Sequence, residues 1–137
     1  MADVLNEFRI LQKVSHLPHM RGEDLLSNQV AQYLKVLTLE EKLNGVWFHV
    51  PNESVVGDRM DVVRIKRKHS LGMINGAPDF IITTGTKTIF IELKTATGRQ
   101  TEAQKMFEKW CCKHEISYNI CRSLEEVEKV LKTEKII

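Results

Sequence analysis

Apolar and polar positions follow two rhythms along this chain, and between them they mark out most of its length. A period of three to four residues runs through 3–14 (Leu5, Phe8, Ile10, Leu11, Val14) and through 23–37 (Leu26, Val30, Leu34, Leu37). It returns at 102–114, with Ala103, Met106, Phe107, Trp110 and His114 as the inward stripe. Such spacing lines one face of an α-helix. Runs rich in Val, Ile, Phe and Thr occupy 46–50, Phe80–Thr84 and Thr88–Leu93, as strands do, and Ser117-Tyr118-Asn119-Ile120-Cys121 reads as a final strand. A last helix opens after Ser123 with Leu124, Val127 and Leu131 inward, and the final residues are expected to fray. Residues 58–70 fit both rhythms: Val62 to Ile65 reads as a strand, while Met60, Val63 and Arg67 suit a helix.

Punctuation agrees with these elements. Pro18 breaks the chain within His16-Leu17-Pro18-His19 and removes the one-face helical geometry that paired histidine ligands use, so this is a loop. Gly45 closes a polar turn, and Pro51 ends the strand before it. Thr101 to Gln104 and Ser123 to Glu126 both have the spacing of a capping box. The resulting α/β domain has a mixed sheet flanked by helices. Both faces of its central hairpin are apolar (Phe80, Ile82 and Ile91 against Ile81 and Phe90), as in a covered sheet.

At 137 residues the chain has room for one core. It divides into an N-terminal helix and linker over 1–20 and a main domain over 21–137. The first part packs on the domain or on a second subunit. A net charge of +2 leaves any nucleic-acid partner to a local basic patch. Three cysteines, two adjacent (Cys111, Cys112), make neither a disulfide framework nor a zinc spacing, and read as reduced, buried thiols. No apolar run reaches membrane length and no secretory pattern opens the chain, so a soluble cytoplasmic protein is expected.

The chemistry gathers in the hairpin. If Gly85-Thr86 is a two-residue loop, with Gly85 at the positive φ of a type II′ turn, Thr84 pairs with Lys87. Counting back then sets Asp79 opposite Glu92, with Cβ atoms roughly 5 Å apart. Lys94, two residues beyond Glu92, shares their face. Two carboxylates that close repel unless a proton or cation lies between them. Oxygen ligands suit Mg²⁺ or Mn²⁺, and a lysine alongside can orient the attacking water or stabilise developing charge. The plainer alternative is a solvated hairpin end.

Gly76-Ala77-Pro78-Asp79, Ile91-Glu92-Leu93-Lys94 and Gly98 to Gln104 resemble the PD-(D/E)xK nuclease superfamily. More narrowly, they resemble its VRR-NUC family, whose stand-alone members are common in phages and prophages. The resemblance spans roughly 22–132 and implies a restriction-endonuclease-like core, in which 58–70 is a helix leading into the Gly-x-Pro-Asp turn. It implies a metal-dependent DNA endonuclease with Asp79, Glu92 and the Leu93 carbonyl as metal ligands and Lys94 handling the water. A bacterial or phage-infected cell is the implied setting. It also implies a homodimer acting on branched, Holliday-junction-like DNA, without an organic cofactor. The rivals are a monomeric flap or end-processing nuclease and a nuclease-fold module that only binds.

Several residues keep two readings. Glu23 either complements the dipole of its helix or supplies a third carboxylate to the metal site, with Asp24 in its place if the helix is rotated. Gln104 either completes the capping box or, as in the family, points at the active site beside the lysine. His49, in a His-x-Pro-Asn segment like the family's, contacts a phosphate or water or is a bonded strand-end histidine; Asn52 reads as a turn former. Arg64, Lys66, Arg67, Lys68 and His69 form either a solvated face or a contact surface for backbone phosphates. Arg99 is a further candidate for a phosphate.

Overall fold

The computed structural model describes residue 11, residues 20–51 and residues 59–137. The predicted helix over 3–14 (Leu11 apart), the His16–His19 loop and Asn52 lie outside the described residues. The elements run α1 (Gly22–Leu39), β1 (Val46–His49), α2 (Arg59–Ser70), β2 (Phe80–Thr83), β3 (Thr88–Leu93), α3 (Glu102–Lys113), β4 (Ser117–Cys121) and α4 (Leu124–Thr133). The sheet order is β1-β2-β3-β4. β1–β2 and β2–β3 are antiparallel, and β4 joins β3 in parallel after the α3 crossover. Of the ambiguous stretch over 58–70, Arg59–Ser70 is a helix.

One face of the sheet is sealed. Phe80 and Ile82 of β2 and Ile89, Ile91 and Leu93 of β3 bury against Val30 and Leu34 of α1 and Val127 and Leu131 of α4. These alternate residues of two strands meet residues four apart on two helices, as the two periodicities require. Fully burying one such aliphatic side chain contributes roughly 1.5–3 kcal/mol.

Among the described residues the other face is covered by α3, through ring contacts of Phe107 with Phe90 (5.8 Å) and Tyr118 (6.3 Å). Ile81 and Phe90 of the central hairpin are half-buried on this side, while Val46 and Phe48 of β1 stay exposed. Met106, Trp110 and His114, expected inward, are exposed, while Ala103, Phe107 and Cys111 point in. The rotation has a local cause. Gln104 turns toward the sheet, and at about 100° per residue Met106 and Trp110 then swing away from it.

Three further expectations are corrected. The C-terminus does not fray: Ile136 is buried in the core, its carbonyl accepts from the Asn44 N–H at 2.8 Å, and Lys87 Nζ donates to the Glu134 carbonyl. Cys112 is exposed, whereas Cys111 and Cys121 are buried. Ser123 accepts from the Glu126 N–H at 3.2 Å, but Glu126 returns its bond to Arg122 N–H at 2.6 Å, so the box is half formed.

Candidate active site

The β2–β3 hairpin sets the centre. Thr83 pairs with Thr88 and Phe80 with Ile91. The Thr84 N–H donates to the Lys87 carbonyl at 2.9 Å, which keeps the two-residue loop in register. The turn is not type II′, because Gly85 has no positive φ. Instead the Thr84 hydroxyl accepts from the Thr86 and Lys87 N–H groups, both at 3.2 Å, and a hydroxyl closure of this kind needs no left-handed glycine. One step beyond the Phe80–Ile91 pair stand Asp79 and Glu92, on the α3 face of the sheet.

Upstream, Gly76 has φ +83°, and a Cβ there would collide with the backbone of Ala103 and Gln104. The glycine of Gly-Ala-Pro-Asp thus lets the chain pass directly under the start of α3. Pro78 is buried just before Asp79.

The two carboxylates have different surroundings. Asp79 Oδ2 accepts from the Leu93 N–H at 2.6 Å. Glu92 is only 2% exposed; its Oε1 accepts from Gln104 Nε2 at 2.5 Å and lies 3.4 Å from Lys94 Nζ. Glu92 Oε2 is buried with no hydrogen-bond partner among the described residues. Desolvation, then the charge of Asp79, pushes Glu92 up to about 7, while Lys94 opposes the rise. Asp79 is raised as well, chiefly by burial, against the bond from Leu93 and the nearby His49.

Lys94, 6% exposed, lies between two acids: Glu92, and Glu23 Oε1 at 3.6 Å. Glu23 comes from the first turn of α1 and remains 47% exposed, so it closes the site from the solvent side. Asp24, the alternative acid, is exposed. Gln104 makes two contacts. Its carbonyl oxygen accepts from Thr101 N–H at 2.9 Å, completing the capping box, and its amide donates to Glu92.

The structure therefore brings together Glu23, Asp79, Glu92, Leu93, Lys94 and Gln104. His49 lies beside them, paired with Phe80 in register, with its ring 5.2 Å from that of Phe80. Arg99 is exposed on the loop between Lys94 and α3. Arg64, Lys66, Arg67, Lys68 and His69 are all exposed on α2. At about 100° per residue they spread around that helix, with Arg64, Arg67 and Lys68 on one side and Lys66 and His69 on the other. His69 Nδ1 is 3.0 Å from the Met73 carbonyl. Arg122, a surface arginine with no motif around it, also reaches the site, through the loop after Lys94.

A mixed sheet flanked by helices, with two acids and a lysine at the end of its central hairpin, makes an α/β domain. A solved structure described as a VRR_NUC domain protein is similar to it, with a TM-score of 0.60 over 88% of this chain and 91% of that one, at 21% identity. No protein-family model matches the sequence, and no curated protein matches it. The fold read from the Gly-Ala-Pro-Asp and Glu-x-Lys segments is the fold observed.

Proposed function

We propose that the protein is a metal-dependent DNA endonuclease that hydrolyses phosphodiester bonds. The observation that carries this reading is Glu92 Oε2, a buried carboxylate oxygen with no hydrogen-bond partner among the described residues, in a carboxyl whose pKa the charge of Asp79 helps to raise. Leaving such a group unpaired is costly, and a cation satisfies it. The donor set fits Mg²⁺ or Mn²⁺: hard oxygens from Asp79 and Glu92, the Leu93 backbone carbonyl beside them, and Glu23 at the rim. Among the described residues no three His, Cys, Asp or Glu groups close around one point. Mg²⁺ commonly takes only one or two carboxylates and completes its shell with water and phosphate oxygens. When bound, such an ion neutralises phosphate charge and makes water a better nucleophile.

The chain's own groups divide the remaining work. Lys94 orients the attacking water and stabilises the charge that develops on the phosphate. Glu23 holds Lys94 from the open side, and Gln104 engages one oxygen of Glu92 and leaves the other for a cation. His49, Arg99 and the basic side chains of α2 meet backbone phosphates, which set the position of the duplex without reading its sequence.

The substrate we favour is branched DNA of the Holliday-junction kind, cut by a homodimer, since two symmetric strands need two cuts and a twofold pair of sites supplies them. The test is cleavage of labelled four-way junction, flap, duplex and single-stranded DNA with Mg²⁺, Mn²⁺ or EDTA, beside Asp79→Asn and Lys94→Met. Metal-dependent symmetric junction cutting, lost in both variants, is expected. Preference for flaps or ends by a monomer would replace the junction reading. Binding of DNA without cleavage under either metal would leave a binding module.

A further inference from the structure

We propose that Arg122 is a positioning residue: it grips the turn after Lys94 and thereby fixes the Glu23–Lys94 pair. This rests on the reading of Lys94 as the group that handles the water.

The parallel β3–β4 ladder ends with Leu93 opposite Cys121, and the Lys94 N–H then donates to the Cys121 carbonyl at 3.0 Å. Backbone pairing thus holds the chain up to Lys94. The next residue on the β4 side takes over. Arg122 Nη1 donates to the Thr95 carbonyl at 2.6 Å and the Gly98 carbonyl at 2.7 Å, with the Ala96 carbonyl at 3.5 Å. Gly98 N–H also bonds the Thr95 carbonyl at 3.2 Å, so residues 95–98 form a closed turn whose carbonyls converge on one guanidinium. All three contacts are made by one nitrogen, at the far end of a permanently charged guanidinium.

The turn is wedged against the other half of the site. A Cβ on Gly98 would stand 2.9 Å from Thr95 Oγ1 and 3.5 Å from Glu23 Oε1, and one on Gly22 would stand 3.7 Å from Thr95 Cγ2. The turn therefore touches α1 where Glu23 leaves it, and Glu23 in turn reaches Lys94. Arg122 is exposed and is not among the core residues. Its own backbone bond to Glu126 does not depend on its side chain. Removing the side chain frees the turn, and with it Glu23 and Lys94, while the sheet and core stay intact.

The experiment compares Arg122→Ala and Arg122→Lys with wild type in single-turnover cleavage at saturating DNA, in DNA affinity as a function of salt, and in thermal unfolding. For Arg122→Ala the rate at saturation is expected to fall roughly ten- to a hundredfold, the scale of small misplacements at an active centre. Affinity, its salt slope and the melting temperature should stay close to wild type. Arg122→Lys should recover only part of the rate. A loss confined to affinity, with a shallower salt slope, would make Arg122 a phosphate contact and overturn the proposal. So would a loss that only tracks the unfolded fraction. Amide exchange at Gly98 reads the turn independently of catalysis. Unchanged protection in Arg122→Ala sinks the proposal even where the wild type cleaves nothing, and in that case the nuclease reading fails separately.

Discussion

Gln104 joins Glu92 at 2.5 Å while its own carbonyl oxygen caps the helix that carries it. One amide thus couples the start of α3 to a buried carboxylate. Gln104→Ala loses both bonds but keeps the Thr101 hydroxyl cap, and each lost bond is worth roughly 0.5–1.5 kcal/mol. Gln104→Glu keeps the box but faces Glu92 with a like charge. Both should lower cleavage at least roughly tenfold. In thermal unfolding Gln104→Glu should recover toward wild type at pH 5 relative to pH 8, and Gln104→Ala should not.

Glu92 makes the metal-free protein sensitive to pH in a defined direction. Its carboxyl is pushed up to about 7 when folded, against an ordinary value of 4.5, because burial and then Asp79 disfavour the charge. The folded state therefore binds the extra proton. The stability this contributes is complete below about 4.5 and is lost as pH rises through about 7, to the extent of roughly 3 kcal/mol. Urea unfolding at pH 5 and pH 8, without metal, should show this loss in wild type and a smaller one in Glu92→Gln. Mg²⁺ or Mn²⁺ at pH 8 should restore stability to wild type alone, as a ligand of the folded state does. Equal pH dependence in the two proteins would exclude the shift.

Gly76→Ala should be damaging far beyond the size of a methyl group. The backbone there is left-handed, and the added carbon meets the main chain of Ala103 and Gln104, which cannot rotate away. We expect a loss of more than about 1 kcal/mol in denaturant unfolding. Cleavage should fall further than the folded fraction, because the start of α3 carries Gln104.

Thiol chemistry offers a check on the packing of α3. Cys112 is exposed; Cys111 is buried and raised by desolvation, and burial pushes Cys121 up to about 12. Since the thiolate is the reactive form, native protein should take one alkyl group quickly, at Cys112, and the other two only on unfolding. Peptide mapping by mass spectrometry reads the site. Rapid labelling of Cys111 would contradict the observed rotation of α3.

The hairpin was legible because a two-residue loop leaves little freedom in register. Once Thr84 faces Lys87, Asp79 must come opposite Glu92, whichever turn type closes the loop. That is why the turn geometry at Gly85 could be misread without cost to the site. Both contacts of Gln104 were legible, since a capping position and a position facing the sheet can coincide on one helix. The stripe of α3 was not: Met106 and Trp110 are as apolar as Phe107, and only the contact of Gln104 with Glu92 decides which of them turn inward. Ile136 follows a helix end and carries no period, so its burial depends on a cleft that only the assembled core provides. Arg122 is a lone charge at a strand end, and the carbonyls it holds come from a different part of the chain.

The closeness in sequence of Asp79, Glu92, Lys94 and Gln104 bears on the order in which the centre forms. Short closures are made early in folding, whereas Glu23 must arrive across a much longer loop. The hairpin therefore brings its two acids together before α1 has covered them, and mutual repulsion opposes that step at neutral pH. A chain refolding with divalent cation present, or at mildly acid pH, is spared this repulsion and should reach the native state sooner.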